Sequence, residues 1–243
     1  MRVVFEEDLR CRAEGAEDRV AGRSVCLVDL HLPCNMACEG CDGASPHAAL
    51  LTPSLLESLS AGILARVDEE RADALDLALY GGEPLLDVDA VVALSADVRR
   101  RCAARGVAYA GHLITNGSLL ADVDPERLAL AGIGRVQVTL DGVGTVHDRR
   151  RRMLDGTSSF GRVVEGLRRA RGRVTLLVRA TAESLTREVE DLLCALDTDG
   201  LLAGDPDVAL FVARPASYAQ QARDLVRIFP LLEAMDPLPS ARA

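Results

Sequence analysis

Lysine and tryptophan are both missing from the 243 residues, and aromatic residues make up only 3% of them. So few aromatic rings provide no stacking platform for single-stranded nucleic acid. All positive charge is arginine, and 28 basic side chains face 37 acidic ones, for a formal net charge of −9. That balance argues against a nucleic-acid partner. No apolar run approaches the roughly 18 residues of a membrane span, and the N-terminus, Met1-Arg-Val-Val-Phe-Glu-Glu-Asp, becomes charged almost at once. Seven cysteines are an odd number in a chain too large to need disulfide staples, which fits a reducing compartment. The expectation is a cytoplasmic protein with no membrane or nucleic-acid partner. At 49% hydrophobic residues, the chain can bury a substantial core as one domain or one domain with a small appendage.

The chemistry is concentrated in Cys34-Asn-Met-Ala-Cys38-Glu-Gly-Cys41. A closed structural zinc site takes four ligands, and ordinary iron–sulfur clusters also use four cysteines. Three thiolates on a short loop leave one iron of a cubane cluster open to a substrate or cofactor. Zinc is the alternative, with His31 or His47 as fourth ligand, because thiolates suit both metals. Of the remaining cysteines, Cys26 falls in a strand, Cys102 and Cys194 on helices and Cys11 near the N-terminus, and all four read as packing residues.

From Ser24 onward, short β-branched runs alternate with segments of helical period. Strands are expected at Val25 to Leu30, Leu75 to Tyr80, Ala108 to Thr115, Arg135 to Leu140, Val174 to Thr181 and Val208 to Ala213. Helices are expected at Pro53 to Arg66, Val88 to Arg105, Pro125 to Ala131, Phe160 to Arg171, Ser184 to Leu196 and Ala216 to Leu232. Strict βα alternation implies parallel strands, and six units fall short of the eight in a closed barrel of roughly 250 residues. The fold class is therefore α/β, a partial (β/α)6 TIM-type barrel with parallel strands. An N-terminal extension spans residues 1–22, the core 23–215, and a C-terminal helix and tail 216–243. Functional groups belong on the loops at the C-terminal strand ends, and the cysteine loop follows the first of these strands directly.

Three further loops carry chemistry-bearing residues. Tyr80-Gly81-Gly82-Glu83-Pro84-Leu85 follows the second strand, where two glycines allow a tight turn and close approach to a ligand. Leu113-Ile114-Thr115-Asn116-Gly117 ends the third strand in a common turn signal. In Val136-Gln137-Val138-Thr139-Leu140-Asp141-Gly142, alternation puts Gln137, Thr139 and Asp141 on one face. A polar trio on an otherwise apolar strand needs partners, and a ribose or a carboxylate would supply them. His147-Asp148-Arg149-Arg150-Arg151-Arg152 comes next, most of its arginines reading as a solvated basic cluster. His112 reads as a core histidine or a pocket group.

In this order along the chain, roughly from residue 24 to residue 213, the motifs resemble the radical S-adenosylmethionine superfamily. The resemblance implies a 4Fe-4S cluster on Cys34, Cys38 and Cys41 whose open iron is chelated by S-adenosylmethionine. It implies that Gly81, Gly82 and Glu83 contact the cofactor's methionine amino group, that Thr115 and Asn116 lie beside the cofactor, and that Arg151 clamps its carboxylate in a bidentate grip. With Gln137, Thr139 and Asp141 these form the expected cofactor site. The stretch from Asp141 to Arg151 and the helix Ser159 to Leu167 resemble the subgroup that modifies peptides and proteins, including anaerobic sulfatase-maturing enzymes. A peptide or protein substrate follows from that likeness, with an electron donor such as flavodoxin or ferredoxin. Two departures stand out. Gly40 occupies a position that is commonly aromatic, and no cysteine follows Cys194, so the expectation is a chain without the SPASM domain of those relatives. The alternatives are a glycyl-radical activating enzyme, a small-molecule maturase and, in another class, a zinc-stabilised binding protein without catalysis.

Overall fold

The structure is a computed structural model and describes residues 2–5, 22–39, 41, 51–181, 187–201, 207–213 and 224. Seven parallel strands make one sheet: β1 (Arg2–Phe5), β2 (Arg23–Asp29), β4 (Ala74–Tyr80), β5 (Ala108–Thr115), β6 (Ile133–Leu140), β8 (Thr175–Thr181) and β9 (Val208–Ala213). Their order is β1-β9-β8-β6-β5-β4-β2, so β1 and β2 are the two ends and the barrel stays open. An antiparallel ribbon pairs β3 (Met36–Cys38) with β7 (Arg151–Met153). The connections carry α1 (Pro53–Glu70), α2 (Val88–Ala103), α3 (Pro125–Leu130), α4 (Thr145–Arg150), α5 (Ser159–Ala170) and α6 (Arg187–Thr198).

This is the α/β partial barrel that the alternation implies, with two additions. The strand β1, inside the stretch read as an extension, pairs in parallel with β9. The β3–β7 ribbon is the second. β5 and β9 have the expected bounds, whereas α1 runs on to Glu70, where Arg71 ends it in the left-handed region at φ 50°. The expected helix from Ala216 lies outside the described residues except for Asp224, as do Cys11, Gly40 and His47. Among the described residues, no helix is long and apolar enough to cross a membrane.

Period-two alternation divides each strand between two environments. Leu75, Leu77 and Leu79 of β4, Val136 and Val138 of β6, and Leu176 and Val178 of β8 pack into one apolar cluster with Val91, Leu94 and Val98 of α2 and Val163 and Leu167 of α5. Burying each such side chain contributes about 1.5–3 kcal/mol, and this outer layer is where folding energy accumulates. The inner face is unlike it. There Asp76 meets His112 at 3.0 Å and Arg23 at 2.5 Å, and Gln137, Thr139 and Arg179 are all buried. Burial lowers the His112 pKa, and its ring serves as a neutral partner of Asp76, the core role of the two expected for it.

Arg179 is among the largest fully buried side chains. Its Nη1 donates to Asp224 Oδ2 at 3.2 Å, and its guanidinium stands 5.2 Å from the centre of the Phe211 ring. Removing one member of a buried ion pair strands the other charge, at a cost of about 3–5 kcal/mol. Asp224→Ala should therefore lower stability by about that amount in chemical denaturation, and the joint replacement Arg179→Met with Asp224→Leu should restore most of it. Equal stability of wild type and Asp224→Ala would contradict the pair's structural role.

Candidate functional site

The cysteine loop leaves β2 under tight control. The Leu30 N–H donates to the Tyr80 carbonyl at 2.7 Å, and Leu30 and Leu32 are buried anchors on either side of His31. Beyond them, Met36 lies opposite Met153 and Cys38 opposite Arg151 in the ribbon, and the Glu39 N–H donates to the Arg150 carbonyl at 2.9 Å. The ribbon thus pins the middle of the loop to the segment after α4. Cys34, Cys38 and Cys41 are all free thiols of intermediate exposure. Burial pushes the Cys38 pKa up to about 11 against the pull of Arg151, with Cys41 and Cys34 near enough to raise it further. Burial also raises the Cys34 pKa, opposed by the Met36 N–H. His31 is exposed, 3.7 Å from the Asp29 carboxylate. Among the described residues, no group of three or more His, Cys, Asp and Glu side chains could hold a single metal ion.

The loop after β4 packs against the cysteine loop. Gly81 and Gly82 have φ of 104° and 62°. A Cβ on Gly82 would collide with the Leu32 carbonyl, and one on Gly81 with the Asp29 carboxylate. Both glycines are demanded by this contact as well as by the turn. The Glu83 N–H donates to the Pro33 carbonyl at 2.9 Å. Its carboxylate, fully buried, accepts from Thr115 Oγ1 at 2.7 Å, the Asn116 N–H at 2.8 Å and the Leu85 N–H at 2.8 Å. Three protein donors thus hold the Glu83 carboxylate in one orientation.

Thr115 and Asn116 carry the linkage onward. Asn116 Nδ2 donates to Asn35 Oδ1 at 2.8 Å and lies 3.8 Å from the Cys34 sulfur. Asn35 Nδ2 donates to Ser118 Oγ at 2.9 Å, and the Ser118 N–H donates to Asn116 Oδ1 at 2.9 Å. Sequence reasoning passed over Asn35 and Ser118. Nothing local marks Asn35, whose two side-chain bonds span 81 and 83 residues.

At the end of β6, Arg151 Nε donates to Asp141 Oδ2 at 2.6 Å. Two residues expected to face the cofactor separately thus face each other, while Asp141 Oδ1 is buried without a hydrogen-bond partner. Burial would raise the Asp141 pKa, but Arg151 and the Thr181 hydroxyl hold it below the usual carboxylate range. The Asp141 N–H donates to His147 Nδ1 at 3.1 Å, and His147 packs edge-on against Phe160. Asp148 accepts from Ser159 N at 2.9 Å, Ser159 Oγ at 3.0 Å and Phe160 N at 2.8 Å, capping α5. Arg150 bridges the Asp141 carbonyl and Glu188 of α6. Gln137 and Thr139 share the inner face with Asp141, but four residues of strand span about 13 Å. The trio is a column rather than a cluster, and Gln137 is the deep end of it.

A cluster fits these donors. Three partly exposed thiols sit on one loop beside a collar of buried hydrogen bonds, and Asp141 keeps an unpartnered oxygen at the same rim. The sequence matches the family described as a 4Fe-4S single cluster domain over residues 20–161. No curated protein matches it. Among solved structures, native anSMEcpe with bound AdoMet aligns with a TM-score of 0.63 and 20% identity, over 79% of this chain and 52% of that one. Native anSMEcpe with bound AdoMet and Kp18Cys peptide aligns at 0.64 and 20%, over the same shares. HydG, a maturase of the FeFe hydrogenase, aligns at 0.56 and 12%, over 87% of this chain and 50% of that one. The chain spans about half the length of these solved relatives, and the likeness is one of fold.

His147 offers a test of this rim by pH. It has no exposed surface, and burial first, then Arg151, push its pKa down to about 4. An unfolded histidine titrates near 6.5, so between those values the unfolded chain binds a proton that the folded one does not. Stability should fall as pH drops from about 6.5 toward 4. His147→Gln keeps an acceptor for the Asp141 N–H and should flatten the curve, with a difference approaching about 3 kcal/mol at the acid end. His112 titrates in both proteins and cancels from the comparison. Urea denaturation across this range would reveal it, and parallel curves would contradict the buried neutral ring.

Proposed function

The chain belongs to the 4Fe-4S single cluster domain family, and on that footing we propose that it is a radical S-adenosylmethionine enzyme acting on a peptide or protein side chain. The observation that carries the proposal is the convergence of Cys34, Cys38, Cys41, the Gly81-Gly82 turn and the Asp141–Arg151 pair at the C-terminal ends of β2, β4 and β6. A partial barrel that aligns with AdoMet-bound structures supports it. Cys34, Cys38 and Cys41 would hold the cluster with one iron open, and the bound cluster would supply the electron for reductive cleavage of S-adenosylmethionine and so the hydrogen-abstracting chemistry.

The chain's own residues do the rest. Each thiol must lose its proton to bind iron, and Cys38, at about 11, gives up a proton that burial makes it hold tightly. Gly81 and Gly82 bring backbone to the cluster loop with no side chain between. Glu83 fixes Thr115 and Asn116 and so places the Asn116 amide beside the Cys34 sulfur. Arg151, now bonded to Asp141, would hold a cofactor carboxylate, and Asp141 Oδ1 would accept from a cofactor ammonium or hydroxyl. An external one-electron donor such as flavodoxin or ferredoxin completes the cycle.

Support for a peptide substrate comes from the Asp141 to Leu167 stretch, from a barrel left open between β1 and β2, and from a similar fold solved with a peptide bound. Anaerobic reconstitution with iron and sulfide analysis tests the cluster. The expected result is four irons per chain, lost when Cys34, Cys38 or Cys41 is replaced by Ala and kept in Cys102→Ala, whose thiol is buried in the apolar core. One zinc per chain and no cluster would contradict the proposal. Arg151→Ala should weaken cofactor binding by roughly tenfold to a hundredfold, as expected for one charge-assisted hydrogen bond. Deuterated peptides should pass label to 5'-deoxyadenosine. Label transfer from a small metabolite and not from peptides would remove the peptide assignment alone.

A further inference from the structure

Gln137 lies on the inner face of β6, in register with Ile114 of β5 and Leu177 of β8, and has no exposed surface. Its Oε1 and Nε2 are both buried without a hydrogen-bond partner. Among the described residues it is the one side chain with two such atoms. The charged groups of the same inner face are satisfied: Asp76 by His112 and Arg23, Arg179 by Asp224. A carboxamide wedged between Ile114 and Leu177 with nothing to bind opposes folding, and a leucine of similar volume would not. Packing therefore does not account for a glutamine here, whereas a ligand does.

Depth identifies the ligand's side of the site. Asp141, at the rim, is four residues further along the same face, about 13 Å up the strand. The cysteine loop, the Gly81-Gly82 turn and Arg151 all meet at that rim. A group bound among them is out of Gln137's reach, while a molecule presented to the rim from within the barrel passes Gln137 on its way. Thr139, between the two levels, is also buried. A carboxamide sets an acceptor beside N–H donors, the complement of another amide, and the two can pair through two hydrogen bonds.

We propose that Gln137 is a substrate-recognition residue inside the barrel, pairing with a backbone or side-chain amide of a peptide substrate. The identity of the substrate rests on the proposed function; the presence of an amide-binding position at Gln137 does not. Three measurements on the full chain test it. Gln137→Leu should melt at the same temperature as wild type or higher. In nitrogen-15-labelled protein, the Gln137 side-chain amide signals, assigned by their absence in Gln137→Leu, should shift on titration with N-methylacetamide. They should shift less with 2-butanone, which is similar in size and can accept from Nε2 but has no N–H to donate to Oε1. In the reconstituted enzyme, Gln137→Leu should weaken peptide binding about tenfold or more beyond any change in cofactor affinity, as for a site that loses a hydrogen-bonding partner.

A lower melting temperature together with amide signals indifferent to N-methylacetamide would make Gln137 a structural residue and overturn the proposal. Cofactor affinity that falls as far as peptide affinity would place Gln137 in the cofactor site and overturn it as well. A wild-type chain that assembles no cluster would defeat the proposed function, yet the melting and amide-signal measurements would still decide the role of Gln137.

Discussion

The Glu83 carboxylate has no exposed surface, and three donors from two loops converge on it. Burial raises its pKa, and only the Thr115 hydroxyl and the Asn116 and Leu85 N–H groups offset that penalty. Hydrogen bonds to a charged group contribute about 1.5–3 kcal/mol each, and an unpaired buried carboxylate would cost several. The ends of β4 and β5 are therefore bound to one geometry or to none. Through the Glu83 N–H the same residue grips Pro33, one position before Cys34. The placement of the first thiol, of the Gly81-Gly82 turn and of the Asn116 amide all descend from this one buried residue.

The barrel assigns stability and chemistry to opposite faces of the same strands. Outward-facing Leu, Val and Ile residues pack under the helices and supply the folding energy. Inward-facing positions hold acids, bases and amides that folding alone would not select. Asp76, His112, Arg23 and Arg179 are matched with partners deep in the barrel, whereas, among the described residues, unpartnered atoms occur at Gln137 and Asp141 and also at Ser24 and His147. A protein that tolerates such atoms gives up stability for them, which is the usual mark of a ligand site.

Much of the fold was legible because it is written in local period. Val-Ala-Leu-Phe-Val-Ala and Ala-Tyr-Ala-Gly-His-Leu-Ile-Thr are β-rich runs between turn signals, and both became the strands expected of them. β1 was not legible: Arg2-Val-Val-Phe is four residues long, and its partner β9 lies some two hundred residues away. The ribbon of Met36–Cys38 with Arg151–Met153 escaped for the same reason, being three residues on each side with no alternation to read. At the site, spacing named the residues but not their partners. Asp141 and Arg151 both looked like groups for the cofactor, and only the turn through α4 shows that they reach each other. Glu83 reads as a cofactor contact, and no sequence signal shows that its carboxylate also binds Thr115, Asn116 and Leu85.

In the proposed site three thiolates hold one cluster whose fourth iron faces a cofactor seated at the rim that Glu83 organises. Electron–nuclear double resonance of the reduced, reconstituted protein is the direct test, with S-adenosylmethionine carrying nitrogen-15 at its amino group. The prediction is a nitrogen-15 hyperfine coupling to the cluster that is replaced by a nitrogen-14 coupling with unlabelled cofactor and is weakened in Glu83→Ala. A protein holding its full complement of iron and sulfide, saturated with cofactor and showing no such coupling, would contradict it.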